Sequence, residues 1–559
     1  MQERETAKES NPHTDTETRD MHINNTARDR KTRVRMEEVS GTSVSKVAMK
    51  VVISLTLVGL CSTAVYLYCI LWKKPQRIRE KLRRQGIRGP KPSFFYGNIK
   101  EMEKIVAEEN KEASANSGHV AHNYAAALFP YFERWRKQYG PIFQYSTGNI
   151  LLLYVSHPGL VKEISLHKSL DLGKPRYMQK ERGPLFGNGI LTSNGPLWAH
   201  QRKIIGPELF MDKVKSMVDL MIESTFPLLK SWESRIENEG GTGDIKIDED
   251  LRSFSADVIS RACFGSSYSK GKEIFVRLRA LQQAMSKPSL LIIPGMRYIP
   301  TKNNRKIWKL EREIHSLILK VVKEHKEESI ATSEKDLLQC ILEGANASQI
   351  RSDLADSFVV DNCKNIYFAG HEMTSVTATW SLMLLALKPG WQARVRDEMA
   401  VVCGGLLPDA DKIRKMKTLT MVIQETLRLY PPAPFVEREA LQSLDYCGIE
   451  IPEGMNLWIP ILTMLHDPEL WGSDAHEFNP ERFSHGIANA CKLPHVYMPF
   501  GIGARSCLGQ NFAMVELKIV LSLILSKFSF SLSPSYRHSP AFRLTVEPGH
   551  GVNLLISKV

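Results

Sequence analysis

The chain has 559 residues, 43% of them apolar, a formal net charge of +13 and nine cysteines. That length supports a large buried core, and an odd number of cysteines without CxxC pairs reads as reduced thiols rather than a disulfide framework. No helix-turn-helix, finger or aromatic-plus-basic RNA pattern accompanies the charge, which argues against nucleic acid and leaves an acidic partner or an anionic membrane surface.

Residues 1–46 are polar, with acids and bases balanced, and cannot bury enough surface to fold alone, so they are expected to be a disordered tail. Val51–Trp72 (VVISLTLVGLCSTAVYLYCILW) is a charge-free run long enough to cross a bilayer, which makes 47–72 a transmembrane signal anchor. Lys73–Lys91 holds nine Lys or Arg against one Glu, whereas Lys31–Lys50 holds five against two. This asymmetry places the C-terminal side in the cytosol. Gly86-Ile-Arg-Gly89-Pro90-Lys-Pro92 completes a basic, proline-rich hinge over 73–92, and 93–559 reads as one large domain without linker or repeat.

Within that domain Ile142–Ser146 and Ile150–Val155 flank a Thr147-Gly-Asn turn and predict a hairpin, followed by a helix from Pro158. Trp198-Ala-His-Gln-Arg202 places an indole and a guanidinium one helical turn apart on one face. Met285–Pro300 is an apolar, proline-interrupted loop ahead of an amphipathic helix from Asn304 to about Glu327. Asp353–Leu387 is a long apolar helix with Ala369-Gly370-His371-Glu372-Met373-Thr374-Ser375 at its centre; a second membrane span is disfavoured, because a His-Glu pair would be costly in lipid. Glu425-Thr-Leu-Arg428 pairs opposite charges on a short helix ending at Pro431-Pro432.

Near the C-terminus, Tyr497-Met-Pro-Phe500-Gly-Ile-Gly503-Ala-Arg505-Ser-Cys507-Leu-Gly509 runs into an apolar helix from Gln510 to about Phe528. The glycines let the backbone pass close to a flat ligand, and Cys507 just before a helix N-terminus is placed to act as a thiolate. Gly501-Ile-Gly503 as the start of a dinucleotide fingerprint fails, since the third glycine position is Ser506 and no βαβ pattern surrounds it.

The order Phe-x-x-Gly-x-Arg-x-Cys-x-Gly resembles the heme-binding loop of cytochromes P450, and Trp198–Arg202, Glu425–Arg428, Arg482 in Pro480-Glu-Arg-Phe483 and Ala369–Thr374 are similar to that family's other motifs in the same order. The resemblance implies a mainly α fold, a large helical domain with a small β region behind one N-terminal transmembrane helix. It implies heme b with Cys507 as axial ligand, and Phe500, Arg505, Trp198, Arg202 and Arg438 as cofactor-binding residues. Glu425, Arg428 and Arg482 become a bracing ion cluster. Glu372 and Thr374 become the oxygen-activating residues, with Met373 in place of the usual first Thr, and Gly370 allows close approach of the macrocycle. The implied reaction inserts one atom of O2 into a small apolar substrate, with electrons from NADPH through NADPH-cytochrome P450 reductase, at the endoplasmic reticulum membrane with the catalytic domain in the cytosol. Lys203 and Lys492 are candidates for the reductase-facing side.

The stretches Asp361–His371 and Ala513–Lys518 look most like plant P450s that oxidise gibberellins and related diterpenoids, with Phe186, Ile190, Phe368, Phe435 and Val552 as expected pocket positions. P450s of this membrane seldom carry so long a tail, which makes Met36 and Met49 alternative starts. Two other classes are compatible with the motifs: a peroxide isomerase or lyase without a reductase, and a heme-binding membrane protein without turnover.

Overall fold

The computed structural model describes residues 48–113, 122–265, 268–286, 296–328, 336–347 and 352–559, together with Arg30 and Arg33. The tail over 1–46 lies almost wholly outside the described residues, as does the middle of the Met285–Pro300 loop. The chain divides into two compact units, Met1–Lys74 and Pro75–Val559.

Among the described residues one helix, Ala48–Arg84, is long and apolar enough to cross a membrane. It carries a π-helical turn at Cys69–Lys73. The basic stretch expected to be a hinge is therefore helical to Arg84, and only residues 85–92 are irregular. Its charges are also not all free: Arg79 is buried, with Nη2 2.5 Å from Ser146 Oγ, and burial followed by repulsion from Arg83 lowers its pKa to about 10.

The second unit is mostly helical. Ser352–Leu387 is its longest described helix and lies at the centre of the main hydrophobic core. It packs against Asp248–Phe264, Lys302–Glu328, Lys417–Leu429 and Gln510–Lys527. The apolar residues of this helix do not fall into one stripe, which is the pattern of a helix surrounded by others.

The predicted hairpin forms, with Ile142 paired to Val155 and Thr147 to Ile150. Its two-residue connection starts at Gly148 with φ +61°, as the first position of a type II′ turn requires. The hairpin opens a five-stranded sheet in the order 142–147, 150–155, 456–459, 436–440, 172–173, in which only the 150–155/456–459 pair is parallel. A second core under this sheet holds Leu153, Val155, Leu457 and Ile459. Strand Val436–Ala440 is buried along its whole length and carries Arg438 inward. A three-stranded antiparallel sheet joins Thr242–Lys246 and Phe528–Leu532 to the C-terminal strand Asn553–Lys558.

Candidate active site

The cysteine loop closes on itself through the Cys507 backbone N–H, which donates to the Phe500 carbonyl at 2.8 Å. Gly501 and Gly503 take φ of +76° and +65°, and a Cβ on Gly503 would lie 2.6 Å from the Ser165 carbonyl oxygen, so glycine is required there for both conformation and space. The loop then enters Gln510–Lys527, whose first turn is closed by Ala513 N–H donating to Gly509 O. Burial pushes the Cys507 thiol above its ordinary pKa, opposed by the Gly509 backbone N–H and the Arg202 guanidinium. Its side chain is nevertheless not covered by protein atoms.

A cluster of cations surrounds the loop. Arg505 donates to Ser193 O at 2.9 Å and Asn194 Oδ1 at 2.8 Å, and its guanidinium lies 4.2 Å from the centre of the Trp198 ring. Arg202, on the same helix as Trp198 (Gly195–Ile205), lies 5.6 Å from that ring and donates to Ser506 O. Arg438 donates to Glu437 O and Ile502 O. These acceptors are all uncharged. Burial and mutual repulsion pull Arg505 down to about 9, burial holds Arg438 at about 10, and Arg202 is lowered as well. Lys174 joins them, lowered to about 7 by burial and then by Arg438. Arg438 is buried and Arg202, Arg505 and Lys174 are half-buried; the Glu437 carboxylate offsets part of the charge on Arg438 and Lys174, and the surplus of positive charge describes a socket for an acidic group.

The central helix delivers a different arrangement. Glu372 is almost fully buried, 2.8 Å from Arg279 and 3.6 Å from Arg252. Both arginines also hold Glu547, at 2.8 and 2.9 Å, and Glu547 meets Arg543 at 3.0 Å. The motif acid thus sits in an ion cluster joining three helices to the C-terminal hairpin. His371 beside it is held down to about 3, first by burial and then by Arg252 and Arg279, and is neutral. Thr374 is bonded to the Glu516 carboxyl on the helix after Cys507, and Ser255 donates to the same group at 2.8 Å. Met373 is partly buried among core apolar residues. Gly370 does not serve the expected approach of a macrocycle: a Cβ there would lie 2.6 Å from Ile259 Cγ1 and closer still to Cδ1. The glycine is needed for a close helix crossing.

Away from the central helix, Arg428 is wholly buried and grips Glu425 with two bonds, at 2.7 and 2.8 Å, while donating to the carbonyls of Leu465, Ala475 and Glu477. Arg482 approaches Glu425 at 3.5 Å and pairs with Asp474. Removing one partner of such a pair costs roughly 3–5 kcal/mol, because the other is left as an uncompensated charge.

Of the expected pocket residues, Phe186 and Phe368 meet edge to face with centroids 5.2 Å apart. The Phe186–Leu191 loop is held on the central helix by Asn188 N–H to Asp361, Ile190 N–H to Asn362 and Leu191 N–H to Asn365. Phe435 stacks on Trp458 at 3.7 Å and meets Phe129 and Phe542 instead. Val552 is fully buried and its N–H donates to Asp248, so it belongs to the packing of the C-terminal sheet rather than to this group.

The family model described as Cytochrome P450 matches residues 116–549. This chain belongs to the cytochrome P450 family. It is 57% identical over 498 residues to cytochrome P450 714C2 of Oryza sativa subsp. japonica, covering 88% of this chain and 95% of that one. Against cytochrome P450 714B3 of Zea mays the identity is 54% over 519 residues, with 92% and 97% covered. Against cytochrome P450 714A2 of Arabidopsis thaliana it is 49% over 509 residues, with 89% and 96% covered. The P450 therefore falls in the plant 714 group, a monooxygenase family that uses heme with an axial cysteine thiolate.

The residues present fit that group. Heme is planar and carries two acidic substituents, and the chain offers a glycine-walled loop presenting an exposed sulfur, beside three arginines whose side-chain hydrogen bonds go to uncharged acceptors. Lys174 was missed in the sequence because nothing around Leu172-Gly-Lys-Pro175 marks it; only the pairing of Leu172 with Ala440 brings it beside Arg438. Glu516 and the partners of Glu372 were missed for the same reason, being joined across 93 to 261 residues of chain.

Proposed function

We propose that this P450 oxidises a gibberellin or related diterpenoid, inserting one oxygen atom from O2 with electrons delivered from NADPH by NADPH-cytochrome P450 reductase. The observation that carries the reading is the gathering of Trp198, Arg202, Arg438 and Arg505 around the Cys507 loop, where a thiolate and a cationic rim fit heme. When bound, the heme supplies oxygen activation. Cys507 would hold the iron as a thiolate, a form that metal coordination favours over the thiol. Arg202, Arg438, Arg505 and Lys174 hold the acidic edge, Trp198 spaces two of the arginines, and Phe500 forms an aromatic side of the loop.

Glu372 and Thr374 handle protons in this reading. Arg252 and Arg279 fix the Glu372 carboxyl in place, where it can order water for proton delivery. Thr374 can relay between its hydroxyl and the Glu516 carboxyl, which burial raises to about 8 and so keeps partly protonated near neutrality. The diterpenoid assignment is supported by the stretches around Asp361 and Ala513 and by the Phe186–Phe368 pair, an apolar surface suited to a fused-ring hydrocarbon skeleton.

The 48–72 part of the helix Ala48–Arg84 is proposed as a single-pass anchor in the endoplasmic reticulum membrane ahead of a cytosolic catalytic domain, with exposed Lys203 and Lys492 toward the reductase. Microsomes carrying the P450 and a reductase, given NADPH and a panel of kaurenoids and gibberellins, should form a product one oxygen heavier. Rearranged peroxide products formed without NADPH would favour an isomerase, and no turnover of any kind would favour a sensor.

A further inference from the structure

Where the helix Lys417–Leu429 ends, Tyr430 enters an aromatic column. Trp380 of the central helix stacks on it with centroids 4.1 Å apart and planes 18° apart, and Tyr124 stacks on it at 5.0 Å and 10°. The Tyr430 hydroxyl stands between two imidazoles, 2.6 Å from His122 Nδ1 and 3.2 Å from His538 Nε2. Tyr536 lies beyond, its hydroxyl 2.7 Å from His538 Nδ1. Trp380 and Tyr430 are fully buried, whereas His122, His538 and Tyr536 are half-buried, so the column runs from the core toward the surface.

The chemistry of this column is specific. Indole and phenol are the side chains most easily oxidised by one electron, and a phenol gives up that electron readily only when a base takes its proton at the same moment. His122 is such a base: burial, followed by repulsion from His538, lowers it to about 4, which leaves it neutral with a lone pair at physiological pH. Both nitrogens lie within reach for direct proton transfer. Trp380 shares its helix with the Ala369–Ser375 motif. It comes seven residues after Met373, which returns it to the same helix face within about 20° and about 10 Å along the axis.

We propose that Trp380, Tyr430 and the pair His122–His538 form a path that draws an oxidising equivalent away from the heme when no substrate consumes it. One electron passes from Tyr430 through Trp380 to the oxidised heme group. The Tyr430 O–H bond breaks and an N–H bond forms at His122 Nδ1 or His538 Nε2, leaving a neutral phenoxyl radical on Tyr430. A one-electron reductant of the thiol or ascorbate class, reaching the half-buried His538–Tyr536 end, restores the phenol as the proton returns. The path rests on the family's heme–thiolate chemistry and is independent of which substrate is used.

The test uses the full-length heme-loaded protein mixed with a peracid in the absence of substrate, then freeze-quenched for electron paramagnetic resonance. Wild type should give a tyrosyl signal, and Tyr430→Phe, which keeps the stacking and loses the proton, should lose that signal and bleach its heme severalfold faster. Trp380→Phe should lower the radical yield in the same direction. An unchanged signal and bleaching rate in Tyr430→Phe overturn the path; if that variant fails to take up heme, unchanged values in Trp380→Phe overturn it. The CO-difference band of each variant is recorded first, so that loss of the heme–thiolate centre is separated from loss of the path.

Discussion

Replacing Gly370 by alanine adds one methyl group where the central helix crosses Asp248–Phe264. The new Cβ would stand 2.6 Å from Ile259 Cγ1 and nearer to Cδ1, against an ordinary contact of about 3.5–4.0 Å. Ile259 is itself buried on a helix where its β-branched side chain has little rotamer freedom, so the contact is relieved by separating the helices. Such overpacking costs about 1–3 kcal/mol, and alanine returns about 1 kcal/mol of helix propensity, so the net loss is roughly 0–2 kcal/mol. Truncating the neighbour reverses the sign. Ile259→Ala alone costs about 2–5 kcal/mol, but in that background the added methyl refills part of the space and Gly370→Ala should stabilise, by about 1 kcal/mol or more. The assay is thermal loss of the CO-difference band in wild type, both single variants and the double variant. If Gly370→Ala instead moves the Soret band of the resting enzyme and leaves thermal stability untouched in both backgrounds, the glycine is there for heme approach and the helix-crossing account is wrong.

Met373→Thr supplies a hydroxyl at the one motif position that lacks a donor, on a turn whose carbonyl already accepts from Thr377. Product per NADPH should rise and hydrogen peroxide release fall, with CO binding unchanged; equal peroxide-to-product ratios in both proteins would rule out proton delivery as the role of this position. Glu516 should make stability depend on pH. Its folded pKa, near 8, is above the unfolded carboxylate value, so between about pH 4.5 and 8 the folded state binds more protons and stability falls as pH rises. The thermal midpoint of wild type should therefore decline across that window relative to Glu516→Gln, and parallel profiles would count against a protonated Glu516. Topology is read from Asn346, an exposed residue in an Asn-Ala-Ser acceptor sequence. It should carry no endoglycosidase-sensitive sugar, and glycan found there would place the domain in the lumen.

Local pattern carried much of the architecture. The Gly148 turn, the proline at the start of Pro158–Leu166 and the unstriped apolar pattern of Ser352–Leu387 are signals of backbone conformation and burial within a few residues, and the elements formed where those signals lay. The Cys507 loop was legible for the same reason, since its glycines encode positive φ and close approach directly. What could not be read was tertiary pairing. Glu372 looks like an isolated acid on its helix and becomes the centre of a cluster only when Arg252, Arg279 and Arg543 arrive from other elements. Gly370 looks like a ligand-facing glycine until Ile259 is seen against it, and Val552 looks pocket-lining until its backbone bonds to Asp248 and Ile247 set it into the core. The basic run after the anchor has the composition of an irregular hinge, yet the helix continues through it because Arg79 and Leu82 are buried and no proline interrupts 76–84.

The central claim is that Cys507 is the thiolate that holds the heme iron. Reduced protein under CO should show the red-shifted Soret band of thiolate-ligated heme, and Cys507→His should move that band to shorter wavelength and abolish turnover while heme remains bound in the socket formed by Arg202, Arg438 and Arg505. An unchanged CO spectrum in Cys507→His would contradict the assignment and the account built on it.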